Sequence, residues 1–282
     1  MKVYLAGAFG HLGTDVLKAL VEAGHEVVAA DLKENKLPEL EGKYEFKAIN
    51  VTDPKTLEGT IDGCDAVITT VGLTTGSATV TNYDIDYKGN LNILGEAKKA
   101  GVKNFVYISV IKCDEQPDIP MLDAKAKFEA ELKKSGLTYV IHRPTGYFYD
   151  IVKVFRPMIE KGSVSLLGKE DHKCNVVHTP DFGRFIVEHM LDVNRTYEVG
   201  GKETYTYAEI ANMCFEAAGK QGEIKRAPVF IFGMLIFINK LKKNGKDALI
   251  KFSRFTLTHD LVGKDVAGDS SFKEYIKDSF RK

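Results

Sequence analysis

The sequence has no surplus of either charge: Lys and Arg together number 39, as do Asp and Glu, so the formal net charge is zero. A balanced chain lacks the overall basic field that nucleic-acid backbones demand, and no nucleic-acid partner is expected. Cysteine is scarce as well. Cys64, Cys113, Cys174 and Cys214 lie far apart, with no Cys-x-x-Cys pair and no Cys/His cluster at ligand spacing. Neither a disulfide framework nor a metal site is expected, and four reduced, buried thiols point to the cytoplasm. The chain opens directly into an apolar run at Lys2, with no signal peptide pattern. The longest apolar run, Val229 to Ile238, falls well short of the ~20 residues that a bilayer span needs. No internal repeat and no low-complexity segment occurs.

What is present is an alternation. Lys2–Ala6, Glu26–Asp31, Tyr44–Ile49, Ala66–Val71, Asn104–Ser109 and Thr138–His142 read as strands. Between them Asp15–Ala23, Asn90–Lys99 and Lys125–Lys134 read as helices, the first with Val16, Leu17, Leu20 and Val21 on one face. Alternating β and α elements imply parallel strands joined by right-handed crossovers, a doubly wound α/β sheet of Rossmann type. Strands as uniformly apolar as Phe105-Val106-Tyr107-Ile108 fit a sheet covered on both faces. Beyond Pro144 the pattern loosens. Val176–Val177, Phe182–Leu191, Thr196–Val199 and Tyr207–Ala218 are further pieces, and Asn244–Lys282 reads as polar and irregular until a helix at Phe272–Ile276. The expected organisation is a nucleotide-binding domain over 1–150 and a smaller C-terminal substrate lobe over 151–282, with an approximate boundary and interleaved elements.

Gly7-Ala8-Phe9-Gly10-His11-Leu12-Gly13 sits between the first strand and the first helix. One glycine permits the tight turn, a second lets the backbone approach a pyrophosphate, and the third lets helix and strand pack closely. The helix N-terminus then offers N–H groups and a positive dipole end to the phosphates. Gly7, Phe9, Gly10, His11, Leu12 and Gly13 are therefore assigned to a dinucleotide. Asp31 closes the second strand, where a carboxylate accepts hydrogen bonds from ribose hydroxyls and repels a 2′-phosphate. NAD(H) is the expected cofactor, with NADP(H) the alternative because Lys33 and Lys36 partly offset that repulsion.

With these residues in view, the chain resembles the atypical short-chain dehydrogenase/reductases, in particular the NmrA-like and divinyl-chlorophyllide-reductase-like group. The resemblance covers nearly the whole length. It rests on Gly7-x-x-Gly10-x-x-Gly13, Asn50-Val51-Thr52-Asp53, Asp86-Tyr87-Lys88-Gly89-Asn90-Leu91-Asn92 and Phe105–Ser109. It continues through Ala124–Glu129, Ser135–Tyr139 and Arg143-Pro144-Thr145-Gly146-Tyr147-Phe148. It implies that Asn50 (Asp in many relatives) and Val51 lie at the adenine edge. It also implies that Thr70, Val71 and Gly72 pass their backbone along the cofactor, and that Pro144–Phe148 flank the nicotinamide. Its members often carry Arg at or just after the position of Asp31 and use NADP(H).

In the wider superfamily a Ser, a Tyr and a Lys four residues after the Tyr act together, the Tyr hydroxyl as acid or base. Ser109 and Lys125 match the Ser and the Lys, but Met121 stands where the Tyr belongs. Lys125 is read as a cofactor-holding or proton-handling group, against a solvated helix lysine. Ser109 contacts cofactor or substrate, or only ends its strand. Tyr147 and Tyr149 are candidates for the missing proton donor, against ordinary packing tyrosines. His142 is read as a sheet-end core histidine, and His172 and His178 carry no role. The run from Val229 to Ile238 is read as a buried helix. The sharper readings are a lid over an apolar substrate, a dimer contact, or a shallow membrane contact with Lys240, Lys242 and Lys243 behind it.

Three functions follow as expectations. The first is an oxidoreductase moving hydride between NAD(H) and an apolar organic substrate, as a monomer or homodimer. The second is a dinucleotide-binding regulator or assembly factor without turnover. The third, a nucleotide-sugar epimerase or dehydratase, ranks last because it needs the absent Tyr.

Overall fold

The computed structural model describes residues 1–73, 79–242 and 246–281. Along the chain these form β1 (Lys2–Ala6), α1 (His11–Glu22), β2 (Glu26–Asp31), β3 (Glu45–Ala48), β4 (Ala66–Thr69), α2 (Asn90–Lys99), β5 (Asn104–Ile108), α3 (Pro120–Lys134) and β6 (Thr138–Pro144). There follow α4 (Phe148–Glu160), β7 (Ser163–Leu167), β8 (Lys173–Cys174), α5 (Thr179–Glu188), β9 (Arg195–Gly200), β10 (Tyr205–Thr206) and α6 (Tyr207–Ala217). Last come β11 (Glu223–Ala227), α7 (Phe230–Lys242), α8 (Lys246–Thr258), β12 (Asp265–Val266) and α9 (Phe272–Phe280). By contacts the chain divides into two units, Met1–Arg143 with Thr179–Tyr197, and Pro144–His178 with Glu198–Lys282.

In the first unit the strands lie in the order β3-β2-β1-β4-β5-β6, every pair from β3 to β6 parallel. This is the doubly wound arrangement that the β/α alternation predicts. The order reverses between β1 and β4, the switch point at whose carboxyl ends open α/β sheets bind ligands. Strand side chains alternate between two covered faces. Tyr4, Ala6, Val28, Ala30, Val67, Phe105 and Tyr107 enter one core with Ile93, Leu94 and Ala97 of α2 and Phe128 and Leu132 of α3. On the other face α1 and α5 pack together, Gly183 allowing their backbones to meet at Asp15.

The helix expected from Asn90 is preceded by a π-helical stretch, Tyr83–Gly89, that runs straight into α2. π-Turns of this kind concentrate at functional sites. Here it places Asp86 and Asn90 on the switch-point side of the core, both fully buried.

The second unit holds the parallel pair β7–β11, the antiparallel pair β8–β10, and β12 beside the last residues of β9. Helix α4 buries Phe148, Val152, Phe155 and Ile159, a stripe at helical spacing. A capping box, Thr206 with Glu209, opens α6.

Three expectations need correction. Residues 246–258 form α8 rather than irregular chain, because Leu249, Ile250, Phe252, Phe255 and Leu257 supply a helical apolar pattern between polar residues. Val177 makes only an isolated bridge to Tyr147, and the nearby strand is β8. The run beginning at Val229 is a helix but not a buried one: Phe230 and Met234 are 74% and 54% exposed. Lys240 and Lys242 have side chains outside the described set, and Lys243 lies outside the described residues.

His142 is fully buried, stacked on Tyr197 at 5.5 Å and edge-on to Phe182 and Phe185. Neither ring nitrogen meets a hydrogen-bond partner among the described residues. Burial, aided by the charge of His189, lowers its pKa to about 3. The unfolded chain therefore takes up this proton first, and stability falls as pH drops from 6.5 towards that value. Replacing the ring by one without nitrogens, His142→Phe, should raise stability by about 1 kcal/mol at pH 7 and by more at pH 5. Urea denaturation at the two pH values checks this, and a loss of stability at pH 7 counts against the orphaned ring.

Candidate functional site

The glycine loop is built around one carbonyl. Gly7 turns at φ +78°, and a Cβ there would lie 2.7 Å from Thr70 Oγ1. Its oxygen accepts from the Gly10 N–H at 3.1 Å and from the Thr70 hydroxyl at 3.0 Å. Gly13 presses the first turn of α1 onto the same carbonyl, so closely that a Cβ would stand 1.9 Å from Gly7 O. No side chain caps α1 and no acid occupies its first turn, which leaves the positive helix end uncompensated. The cradle fits a pyrophosphate: it offers glycine backbone and a helix N-terminus with no capping side chain and no acid in its first turn. His11 is exposed at the mouth of this turn, while Leu12 is buried beneath it.

Asp31, at the end of β2, accepts from the Phe9 N–H at 3.0 Å and from the Leu32 N–H at 2.7 Å. It therefore ties the glycine loop to β2, and each carboxylate oxygen retains a second acceptor site. Phe9 is held edge-on against Tyr44 and Phe46 at 5.7 and 5.8 Å. The Asn50 side chain closes a local turn, accepting from the N–H and hydroxyl of Thr52 at 3.1 and 2.8 Å. Val51 packs on the core, and its carbonyl accepts from Asn92 Nδ2 at 2.8 Å. Beside this edge lies a cavity of about 500 Å³ lined in part by Thr52, Leu91 and Asn92.

The loop after β4 is pinned from the π-turn. Asn90 accepts from the Thr69 hydroxyl at 2.7 Å and donates to the carbonyls of Val71 and Asp86 at 3.2 and 3.0 Å. The carboxylate of Asp86 accepts from the Leu73 N–H at 3.2 Å and from Asn82 Nδ2 at 3.0 Å. Lys125 stands 3.1 Å from Asp86 Oδ1 and donates to the Ile108 carbonyl at 3.2 Å. Its ammonium also lies 5.3 Å from the centre of the Tyr107 ring. The solvated-lysine reading of Lys125 is thereby overturned, since its side chain is mostly buried. Gly72 completes the group: a Cβ there would meet Asp86 Oδ1 at 3.0 Å and Lys125 Nζ at 3.2 Å. Thr70, Val71, Gly72 and Lys125 thus come together at the switch point, around an acid that the sequence reading had not assigned.

Ser109 is drawn into a different group. Its N–H donates to the His142 carbonyl at 2.7 Å, and its hydroxyl contacts the thiol of Cys113 at 3.6 Å. Cys113 donates in turn to Glu129, which binds Arg143 through two hydrogen bonds of 2.9 and 2.7 Å. Burial alone would raise the Glu129 pKa, but hydrogen bonds and charge from Arg143 outweigh it and hold the carboxyl below its ordinary range. Burial and the Glu129 charge push the Cys113 thiol up to about 12. The network is a satisfied ionic core with an inert thiol. It anchors β6 to α3, the helix that carries Lys125.

In the second unit Pro144 is buried at the end of β6. Tyr147 and Tyr149 stack face to face at 5.7 Å. Burial and the neighbouring Tyr149 and Asp150 charges raise the Tyr147 pKa well above 10. His178 packs on Phe148 and Tyr275 and meets the Ser270 hydroxyl, and His172 pairs with Asp260. Among the described residues no group of three or more His, Cys, Asp or Glu could hold a metal ion. None of their helices is long and apolar enough to cross a membrane.

A parallel sheet with a glycine cradle at its switch point defines a dinucleotide-binding protein of Rossmann type. The chain belongs to the NAD(P)H-binding family, whose pattern it matches over residues 7–165. Among curated proteins it is 29% identical to the photosystem II assembly factor Ycf39 of Synechocystis, over 99% of this chain and 91% of that protein. It is 28% identical to the chloroplast divinyl chlorophyllide a 8-vinyl-reductase of Arabidopsis thaliana, over 86% of this chain and 64% of that one. Its fold is similar to that of the Escherichia coli NADPH-dependent quinone oxidoreductase QOR2, with a TM-score of 0.75 at 18% identity, over 99% of this chain and 100% of that one.

The Gly13 contact gives a direct test of the cradle. Gly13→Ala must push α1 off the Gly7 carbonyl and should weaken NAD(P)H binding by at least about tenfold, or 1.4 kcal/mol, with little change in far-ultraviolet circular dichroism. Unchanged affinity, measured by nicotinamide fluorescence, would place the cofactor elsewhere.

Proposed function

We propose that the protein is an oxidoreductase that transfers hydride between NAD(H) and an apolar organic substrate. The observation that carries this reading is Lys125. It is mostly buried, paired with Asp86 and set against Gly72 although the Tyr of its motif is Met121. Its charge is compensated by Asp86, and it stands beside the glycine at the switch point, where it would meet a bound dinucleotide. The hydride chemistry belongs to the cofactor; the protein contributes binding, orientation and charge. Gly7, Gly10 and Gly13 and the start of α1 would hold the pyrophosphate, Asp31 the adenosine ribose, and Asn50 and Val51 the adenine edge. Thr70, Val71 and Gly72 would run their backbone along the dinucleotide. Lys125 would donate to the nicotinamide ribose and stabilise negative charge that develops on the substrate. The proton that balances the hydride is assigned to Tyr147 or Tyr149. Burial raises the Tyr147 pKa, so that phenol stays protonated but is a weaker acid than a free tyrosine, and a substrate or cofactor charge beside it would have to offset this.

The names of the relatives support both a reductase and a second reading. Ycf39 is an assembly factor and matches nearly all of this chain, and Met121 removes the usual proton-transfer group. A dinucleotide-binding assembly factor would keep the cradle without turnover. A cytoplasmic monomer or homodimer is part of this proposal, supported by four buried free cysteines.

Two measurements decide these points. Titration should show NADH binding about tenfold tighter than NADPH, and Asp31→Ser should erase the difference. Tighter NADPH binding in the parent protein overturns the NAD assignment. With NADH and a panel of quinones and enones, Lys125→Ala should lower kcat by about a hundredfold or more while NADH affinity falls far less. If no acceptor in the panel oxidises NADH although the cofactor binds, the assembly-factor reading replaces the reductase.

A further inference from the structure

The net charge of zero conceals a local imbalance. Between Val229 and Thr258 there are six basic residues, Lys240, Lys242, Lys243, Lys246, Lys251 and Arg254, and a single acid, Asp247. The same stretch contains the most apolar segment of the chain: from Phe230 to Ile238 every residue is apolar except Gly233. In the structure its described residues include the packed helices α7 (Phe230–Lys242) and α8 (Lys246–Thr258) of the second unit. Phe230, Gly233 and Met234 are exposed at spacings of three and four, so they share one helix face. Ile231, Phe232 and Ile236 are only partly covered. Leu249 of α8 is also exposed, and so is Arg254. A helix that is apolar nearly all round is ordinarily buried, and none of the α7 residues with a described burial is.

We propose that α7 and α8 form an interfacial anchor that lies on an anionic lipid surface. At 13 residues α7 is about 20 Å long, too short for a hydrocarbon core of about 30 Å. It is long enough to rest in the interface plane with its apolar side in the headgroup region. The bases that follow it in the sequence supply the second signal that stable surface anchoring needs, an attraction to an anionic leaflet. The apolar run and the basic residues are neighbours in the sequence, and α7 and α8 pack on each other, an apolar helix followed by bases being the pattern of a peripheral membrane element. This inference does not depend on the proposed reaction.

The test is sedimentation of the intact protein with lipid vesicles. Phosphatidylglycerol/phosphatidylcholine vesicles should retain roughly tenfold more protein than phosphatidylcholine alone, and high salt should release part of it. Phe230→Glu combined with Met234→Glu should abolish retention. Lys240→Gln with Lys242→Gln and Lys243→Gln should remove the preference for the anionic lipid. All variants should keep the parent NAD(P)H affinity, which shows that they fold. Equal, absent or mutation-insensitive retention overturns the proposal. So does a lipid-free dimer, seen by light scattering, that Phe230→Glu with Met234→Glu dissolves, since a second copy would then own the face.

Discussion

The approach of α1 to the Gly7 carbonyl is the contact on which the rest of this structure depends. It sets the angle at which the first helix leaves the first strand. The helix also begins after Gly10, with no side chain capping its first turn. Thr70 reaches the same oxygen from the end of β4, so the two strands on either side of the switch point are locked to one atom. Everything that lines the cofactor cradle follows from that geometry, because a Cβ at Gly13 could not be accommodated without moving the helix.

A second layer of polar contacts gathers around Lys125. Asp86 in the π-turn and Asn90 at the start of α2 bind the loop after β4, and Asp86 also pairs with Lys125. Both are fully buried, a placement that is stable only when the polar groups are paired. The Glu129–Arg143 pair, with Cys113 and Ser109, fixes β6 against the helix that carries Lys125. The Ser109 hydroxyl meets Cys113 in this structure, and Lys125 is the polar group gathered with Asp86 and Gly72. Oxidoreductase and binding factor share this arrangement; they differ in whether a substrate is brought to it.

Much of the fold could be read from sequence. β1, β2 and α2 fall within the expected bounds, and α1 and α3 start four and five residues early because Gly10 and Pro120 open them. The glycine loop and Asp31 were legible for the same reason, since turn and helix-start chemistry is local. Helix α4 carried a plain signal in Phe148, Val152, Phe155 and Ile159, but Pro157 in its last turn masks it as a break. Asp86 was visible only as part of a motif. Nothing local marks the π-turn that aims it, and its partner lies 39 positions further along the chain.

The sequence by itself determined the β/α alternation, the phosphate loop and the loss of the motif tyrosine, because each is written in neighbouring residues. Only the tertiary structure decided which polar groups meet and which apolar faces are covered. Helical periodicity made the segment from Val229 a helix but could not say whether another element would pack over it; Phe230 and Met234 were left in the open. Likewise Lys125 is a surface lysine by composition and a buried ion pair by packing, since its environment is set by residues from β5 and the π-turn that no spacing rule connects to it.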